Sequence, residues 1–298
     1  MIASLMGCGN NETEKTRQER SEDVTSFSTF PLLPGAVLVD SMSADMTGDG
    51  QEELIIVSQT EEYTDDPLLV DRFDRVDLYT RNDTGITQLF VDPVDYGLSF
   101  STEDVTGDGV TDLLVHLDAG GNNPISTQGL HVYGLNASRK VTLLFYSPSG
   151  APVLHDIDEN GQKEILVADQ YWGMMPHSEV IGFTRFVYAF DGNSYVESNA
   201  RFAAWFDTIL EKQRRAYARS LRSSRSSGSE DQSNEVYLRA AEYLAWNLPR
   251  GGARRVRTVW RAEEDVLRRH LNDEQFSDLQ TFVEDVMIME QETSAGRQ

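Results

Sequence analysis

The sequence predicts a mainly β protein, a propeller-like stack of blades that need not form a complete ring, followed by an α-helical C-terminal domain. Two observations lead to this fold class. An acidic loop recurs three times in the first 200 residues, each time followed by a short run of β-branched apolar residues. From residue 199 the apolar residues recur every three to four positions instead, which is the helical period.

The acidic residues are concentrated in the same part of the chain as the loops. Residues 1–200 contain 10 Lys or Arg against 33 Asp or Glu, so they carry the whole net charge of -23. Residues 201–298 contain 16 of each sign. An acidic surface of this kind repels nucleic acids and attracts cations, so no nucleic-acid partner is expected.

The N-terminus resembles a bacterial lipobox at Leu5-Met6-Gly7-Cys8. This resemblance implies a truncated lipoprotein signal over 1–8, lipidation of Cys8, and a disordered polar tether over 9–30. The protein would then lie in the cell envelope, outside the cytoplasm and held to the membrane by lipid alone. Residues 1–6 lack the positive charge and apolar length of a full signal peptide. The alternatives are therefore a start further upstream or an ordinary thiol at Cys8.

The three loops place oxygen-bearing side chains at positions 1, 3, 5 and 9 and a glycine at position 6. Calcium takes 6–8 hard oxygen ligands, and glycine permits the sharp turn that brings these ligands together. Position 7 would add a backbone carbonyl, and waters would complete the shell. The candidate Ca²⁺ ligands are Asp45, Thr47, Asp49, Gln51 and Glu53; Asp104, Thr106, Asp108, Val110 and Asp112; and Asp156, Asp158, Asn160, Gln162 and Glu164. The third loop is expected to bind most weakly, because Asn160 replaces an aspartate.

These loops differ from the EF-hand, which needs a bidentate glutamate at position 12 and a helix on each side. Position 12 is occupied by Ile56, Val115 and Val167. The apolar runs around these residues are typical of buried strands. A structural role for calcium is therefore favoured over a sensing role.

A longer unit surrounds each loop. A second predicted strand ends at Tyr79, Tyr133 and Tyr188, and a turn and another strand follow each tyrosine. The first aspartates of the loops are 59 and then 52 residues apart, which is close to the length of one four-stranded propeller blade. Three to four such units are expected over 31–198.

The pattern D-x-[TDN]-x-[DN]-G-x-x-[DE]-[LI] begins at Asp45, Asp104 and Asp156 with every ligand position filled. In this the chain resembles the FG-GAP/VCBS repeat family, the calcium-loop blades of integrin-type propellers and many bacterial surface proteins. The resemblance covers residues 35–197 and implies calcium-stabilised blades without implying one function. Complete propellers have typically 4–8 blades. Two arrangements are compatible with the sequence: a stack with exposed edges, or a stack whose edges are covered by the C-terminal helices.

Four amphipathic helices are expected over 199–298, with a flexible Ser-rich linker near 223–233. Pro249 and the glycines that follow it should stop the second helix, and Asn272 should cap the fourth with Gln275 three residues on. The arginine-rich run 214–225 has two candidate partners: the acidic repeats of the same chain, or anionic headgroups.

No catalytic motif is present, and the five histidines lack metal-ligand spacing. The sequence therefore predicts a calcium-stabilised binding or scaffold lipoprotein of the cell envelope without catalytic activity, whose partner is an unknown protein or glycan. The alternative is a calcium-dependent hydrolase or lyase acting on envelope polysaccharide, with Glu61-Glu62 and Asp65-Asp66 as its carboxylates. The apolar segment 171–177 would be a ligand-binding lip or would pack under the helices.

Overall fold

The structure of the protein is a computed structural model that describes residues 32–60, 69, 71–82, 85–136, 138–170, 183–224 and 230–295. The predicted signal, Cys8 and the tether lie outside these residues. So do Glu61-Glu62, Asp65-Asp66 and the segment 171–177.

The described residues before 199 form mainly antiparallel sheet, as the sequence predicts. The strands are β1 Val37–Ala44, β2 Glu53–Gln59, β3 Phe73–Asn82, β4 Gly85–Glu103, β5 Asp112–Asp118, β6 Gln128–Leu135, β7 Val141–Ser147, β8 Val153–His155, β9 Glu164–Gln170, β10 Phe183–Phe190 and β11 Tyr195–Glu197. A seven-stranded sheet contains β1 to β7 in chain order, and a four-stranded sheet contains β8 to β11 in chain order. A single turn of helix, α1 (Pro124–Thr127), lies between β5 and β6.

One strand register recurs three times. The residue after each acidic loop pairs with the tyrosine of the second strand that the sequence singles out. The pairs are Leu54 with Tyr79, Leu113 with Tyr133, and Ile165 with Tyr188. Because side chains alternate between the two faces of a strand, the same register puts equivalent residues on equivalent faces.

By their contacts the described residues divide into two compact units, one with the residues up to 45 and those within 49–97, the other with residues 46–48 and those from 98 onward. In the first unit, Leu54, Ile56 and Tyr79 form a small cluster on one face of the sheet. Every residue of β2 is buried, which explains its unbroken apolar run.

In the second unit, the strand β9 contributes to two hydrophobic clusters at once. Ile165 packs with Leu114, Val132 and other residues of β5 to β7. Its neighbour Leu166 points the opposite way, into a cluster that contains Phe206 and Trp246 of the C-terminal helices. The four-stranded sheet is therefore covered by strands on one face and by helices on the other.

The C-terminal region is helical, as predicted, with α2 (Ala203–Ser224), α3 (Glu230–Leu267) and α4 (Asp273–Ala295). Non-helical dihedral angles at Gly251 and Gly252 divide α3 into two segments, which confirms the predicted interruption. In the predicted linker, residues 223–224 and 230–233 are helical, and residues 225–229 lie outside the described chain. No helix among the described residues is both long enough and apolar enough to cross a bilayer.

The predicted cap of the last helix is confirmed atom by atom. The Asn272 Oδ1 accepts a hydrogen bond from the Gln275 backbone N–H at 2.8 Å, and the Gln275 Oε1 accepts one from the Asn272 N–H at 3.3 Å. This reciprocal pair is a capping box, which satisfies two backbone donors at the start of α4.

Candidate functional site

Each acidic loop joins the first two strands of a four-stranded meander: β1 to β4, β4 to β7 and β8 to β11, with β4 shared by the first two meanders. The loops connect β1 to β2, β4 to β5, and β8 to β9. Burial follows one pattern in all three. The acid at position 1 is half-buried, the residue at position 5 is exposed, and the acid at position 9 is buried. In each loop, burial of these residues therefore increases from position 5 through position 1 to position 9, at the end of the sheet.

The side chain of the first aspartate in each loop accepts a hydrogen bond from the backbone of the same loop. Its Oδ2 accepts a hydrogen bond from the backbone N–H of the glycine at position 6. The distances are 2.8 Å from Gly50 to Asp45, 2.9 Å from Gly109 to Asp104, and 3.0 Å from Gly161 to Asp156. These bonds orient the carboxylate before any ion arrives, which is a form of preorganisation.

The residue at position 5 makes a second turn of the same kind in every loop. Its side-chain oxygen accepts a hydrogen bond from the backbone N–H at position 7. The distances are 2.8 Å for Gln51 to Asp49, 2.9 Å for Val110 to Asp108, and 2.7 Å for Gln162 to Asn160. Asn160 therefore reproduces the turn that an aspartate makes, because its amide oxygen is an equivalent acceptor.

The acids at position 9 are the innermost candidate ligands. Glu53, Asp112 and Glu164 are only 1%, 2% and 1% exposed. One Asp112 oxygen, Oδ2, accepts from the Val105 N–H at 2.9 Å, the Thr106 N–H at 3.0 Å and the Thr106 hydroxyl at 3.1 Å. The other oxygen, Oδ1, lies so close to Gly134 of β6 that a Cβ there would meet it at 2.0 Å.

Burial makes this charge costly without a cation nearby. Burial raises the pKa of Asp112 to about 6, and the hydrogen bonds from Val105 and Thr106 offset only part of that shift. The pKa of Glu164 is raised by burial as well, although the hydrogen bond from the Ile157 N–H at 2.8 Å opposes the shift. Among the described residues, no lysine or arginine forms an ion pair with Asp112. A divalent cation would supply the missing charge.

The third loop brings three carboxylates to one point. One oxygen each from Asp156, Asp158 and Glu164 lie within 4.8 Å of one another. Calcium ligands lie at 2.3–2.6 Å from the ion, so two of them on opposite sides are separated by about 5 Å. The donor set and the spacing therefore fit a calcium ion. The sequence predicts the weakest binding for this third loop. It nevertheless gathers three carboxylates, since its position 3 is Asp158, whereas the other loops have Thr47 and Thr106 there.

Sequence reasoning missed the contacts between successive loops. A Cβ on Gly48 would meet Val110 at 2.8 Å, and a Cβ on Gly107 would meet Gln162 at 2.8 Å. In both cases position 4 of one loop lies against position 7 of the next. Loops two and three are also joined by a hydrogen bond from the Lys163 N–H to the Val105 carbonyl at 2.9 Å. Lys163 forms an ion pair with Glu103 as well, the last residue of β4 before loop two.

Tyr195 is a second residue that sequence reasoning did not place at the site. Its hydroxyl donates to the carbonyls of Val105 and Lys163, each at 3.2 Å. Burial raises the pKa of Tyr195, with added contributions from the Asp112 and Glu164 charges, so the hydroxyl remains a donor. The Tyr195 side chain therefore links loop two to loop three. Only its position in a predicted strand was visible in the sequence.

Two arginines of the arginine-rich run pair within their own helix. Arg214 and Arg215 pair with Glu211 of the same helix, at 2.9 and 2.7 Å. Among the described residues 214–224, no ion pair reaches a carboxylate of loop two or loop three. Arg201, which precedes α2, is the arginine that reaches a loop: its Nη2 lies 2.6 Å from the Asp158 Oδ2.

Comparison with known proteins adds no assignment. The chain matches no protein-family model, and no curated protein matches it in sequence.

Proposed function

We propose that this protein is a calcium-stabilised binding or scaffold protein of the FG-GAP/VCBS type, whose three meanders are blades of a propeller-like stack. The observation that carries the proposal is the recurrence of one loop geometry three times. Each loop has the same two backbone-to-side-chain turns and the same buried acid at position 9. The recurring register of the strands beside the loops supports the blade interpretation.

The role proposed for calcium is to hold each loop at the end of its sheet. A buried carboxylate costs several kcal/mol unless a charge compensates it, and an ion bound at position 9 would remove that cost for Asp112. The ion would also tie β4 to β5 and β8 to β9, because ligands come from both sides of each connection. Calcium would thereby stabilise the fold and leave the exposed surfaces for binding.

We propose that the protein has no catalytic activity and acts in the cell envelope, outside the cytoplasm, anchored through a lipid on Cys8. Its partner would be a protein or glycan of the envelope. The lipobox-like sequence and the polar segment after it support this location. Calcium is plentiful outside the cytoplasm, which suits loops with many carboxylates.

A thermal melt with calcium or with a chelator tests the calcium part of the proposal. Saturating a site to 100 times its Kd adds about 2.7 kcal/mol to the free energy of unfolding, so the midpoint should rise by several degrees. The variant with Asp45→Asn, Asp104→Asn and Asp156→Asn should lose this rise. A matched control is Asp191→Asn, because Asp191 also accepts backbone N–H groups in a tight turn, from Asn193 and Ser194 at 2.9 Å, outside the loops. An unchanged wild-type midpoint would refute the calcium role.

Cell fractionation tests the location. The gene is expressed with its native upstream region, either as wild type or as Cys8→Ser. The wild-type protein should sediment with membranes, and Cys8→Ser should be released into the soluble fraction. Equal partitioning of the two proteins would exclude an anchor at Cys8.

A further inference from the structure

We infer that Arg201 is an affinity-determining residue of the third loop: its guanidinium is the internal counter-ion of Asp158, and a calcium ion must compete with it for that carboxylate. The inference rests on the proposed calcium role of the loops. It adds that the third site is weakened by the protein itself and is coupled to the start of the helical region.

The hydrogen bonds of the three carboxylates of the loop differ in kind. Asp156 accepts the N–H groups of Asn160 and Gly161, and Glu164 accepts the N–H of Ile157. Among the described residues, the only group that hydrogen-bonds to Asp158 is Arg201. Asp158 is therefore the carboxylate that depends on a cation from elsewhere in the chain, 43 residues away in sequence.

The backbone around Arg201 fixes where the guanidinium lies. The Arg201 N–H donates to the Ser198 carbonyl at 2.9 Å, and the guanidinium carbon lies 4.9 Å from the centre of the Phe202 ring. Phe202 is buried in the cluster that joins the four-stranded sheet to the helices, and Ile157 of the loop packs against the same cluster. The loop and the first residues of the helical region therefore share one packed contact.

The ion pair is open to exchange. The side chains of Arg201 and Asp158 are 43% and 35% exposed, so water and ions reach both partners. Exposed pairs of this kind are weak compared with a calcium ion held by several carboxylates. A calcium ion can therefore take Asp158 from Arg201, although part of its binding free energy is spent on breaking the pair.

Position 3 of the other two loops supports the assignment. It is Thr47 in the first loop and Thr106 in the second, and a neutral hydroxyl needs no counter-ion. In the third loop, by contrast, the candidate ligand at this position is a carboxylate, and it is paired with Arg201. Calcium binding there should change the contact at Arg201, and by reciprocity a change at Arg201 should alter calcium affinity.

The test is calcium titration of the full chain by isothermal calorimetry, together with thermal melts in chelator. Arg201→Gln should tighten binding at one site about two- to fivefold, the range set by exposed ion pairs. It should also lower the midpoint in chelator, since three carboxylates lose their cation. The matched control is Arg215→Gln, which removes an arginine paired with Glu211 on the surface of α2 and should leave calcium affinity unchanged.

Asp158→Asn assigns the effect to the third loop. In that background Arg201→Gln should have no further effect on affinity, because the carboxylate that links the two is gone. Wild-type affinity in Arg201→Gln, or equal tightening in Arg215→Gln, would overturn the inference while leaving the calcium proposal intact. A wild-type protein that binds no calcium would overturn both.

Discussion

The Val105 backbone N–H donates a hydrogen bond to the Asp112 Oδ2 at 2.9 Å, so position 2 of the second loop orients the carboxylate at position 9. The same relation recurs in the third loop, where the Ile157 N–H donates to Glu164 at 2.8 Å. A bond between positions 2 and 9 closes the loop into a ring, and in the second loop the Thr106 hydroxyl at position 3 donates to the same Asp112 oxygen. The loop is therefore shaped by its own backbone, and a cation would bind to a carboxylate that is already oriented.

The buried charge of Asp112 gives the first prediction. Its folded pKa of about 6 lies above its ordinary value of 3.8. A raised pKa means that the folded state favours the protonated acid, so this contribution to stability is present below about pH 4 and is lost as the pH rises through about 6. In chelator, Asp112→Asn should therefore raise the thermal midpoint relative to wild type more at pH 7.5 than at pH 4.5.

The effect of Asp112→Asn in calcium should differ from its effect in chelator. Asparagine can still accept the bonds that Oδ2 accepts, but it carries no charge for the ion. The gain seen in chelator should vanish or reverse in calcium at pH 7.5. A midpoint difference that is the same at both pH values would show that the buried charge of Asp112 is not the destabilising group.

Alanine variants of two glycines in the second loop distinguish backbone strain from steric contact with a neighbouring loop. Gly107 and Gly109 both have positive φ, 71° and 85°, so alanine is strained at either position. A Cβ on Gly107 would also meet Gln162 at 2.8 Å, whereas nothing lies within 4 Å of one on Gly109. Gly107→Ala should therefore lower the free energy of unfolding by about 1 kcal/mol more than Gly109→Ala. Equal losses in urea unfolding would argue against the contact between loops two and three.

The sheet, the turns of the loops and the cap of the last helix were predictable because their determinants are local. The nine-residue spacing, the strand after each loop and the cap at Asn272 all depend on neighbours within a few residues. Arg201 and Tyr195 reach their partners only through the fold: the Tyr195 hydroxyl and the Val105 carbonyl are 90 residues apart in sequence. No local pattern marks such residues, so only the packed structure could identify them.

Glu159 occupies position 4 of the third loop, where the other loops have Gly48 and Gly107. Its φ is 56°, a conformation that costs a non-glycine residue about 1 kcal/mol. Its side chain is exposed, whereas the two glycines each lie against the following loop. Glu159→Gly should therefore raise the free energy of unfolding by several tenths of a kcal/mol or more, although glycine also gains freedom in the unfolded chain. Urea unfolding in chelator measures this, and a loss of stability would mean that Glu159 makes a favourable contact.

The last prediction concerns the helical cover of the four-stranded sheet. Phe206 of α2 is fully buried against Leu166 and Val187 of the sheet and Trp246 of α3. Phe206→Ala removes a large apolar side chain from this cluster and should cost about 3–5 kcal/mol. Ile157 of the third loop packs against the same cluster, so the loss should also weaken calcium binding at that loop.

The control is Phe276→Ala in α4, whose side chain packs with Trp260 in the core of the helices. A comparable loss of stability is expected there without a change in calcium affinity. If both variants weakened calcium binding equally, the effect would come from global destabilisation, and the cover on the sheet would have no specific connection to the third loop.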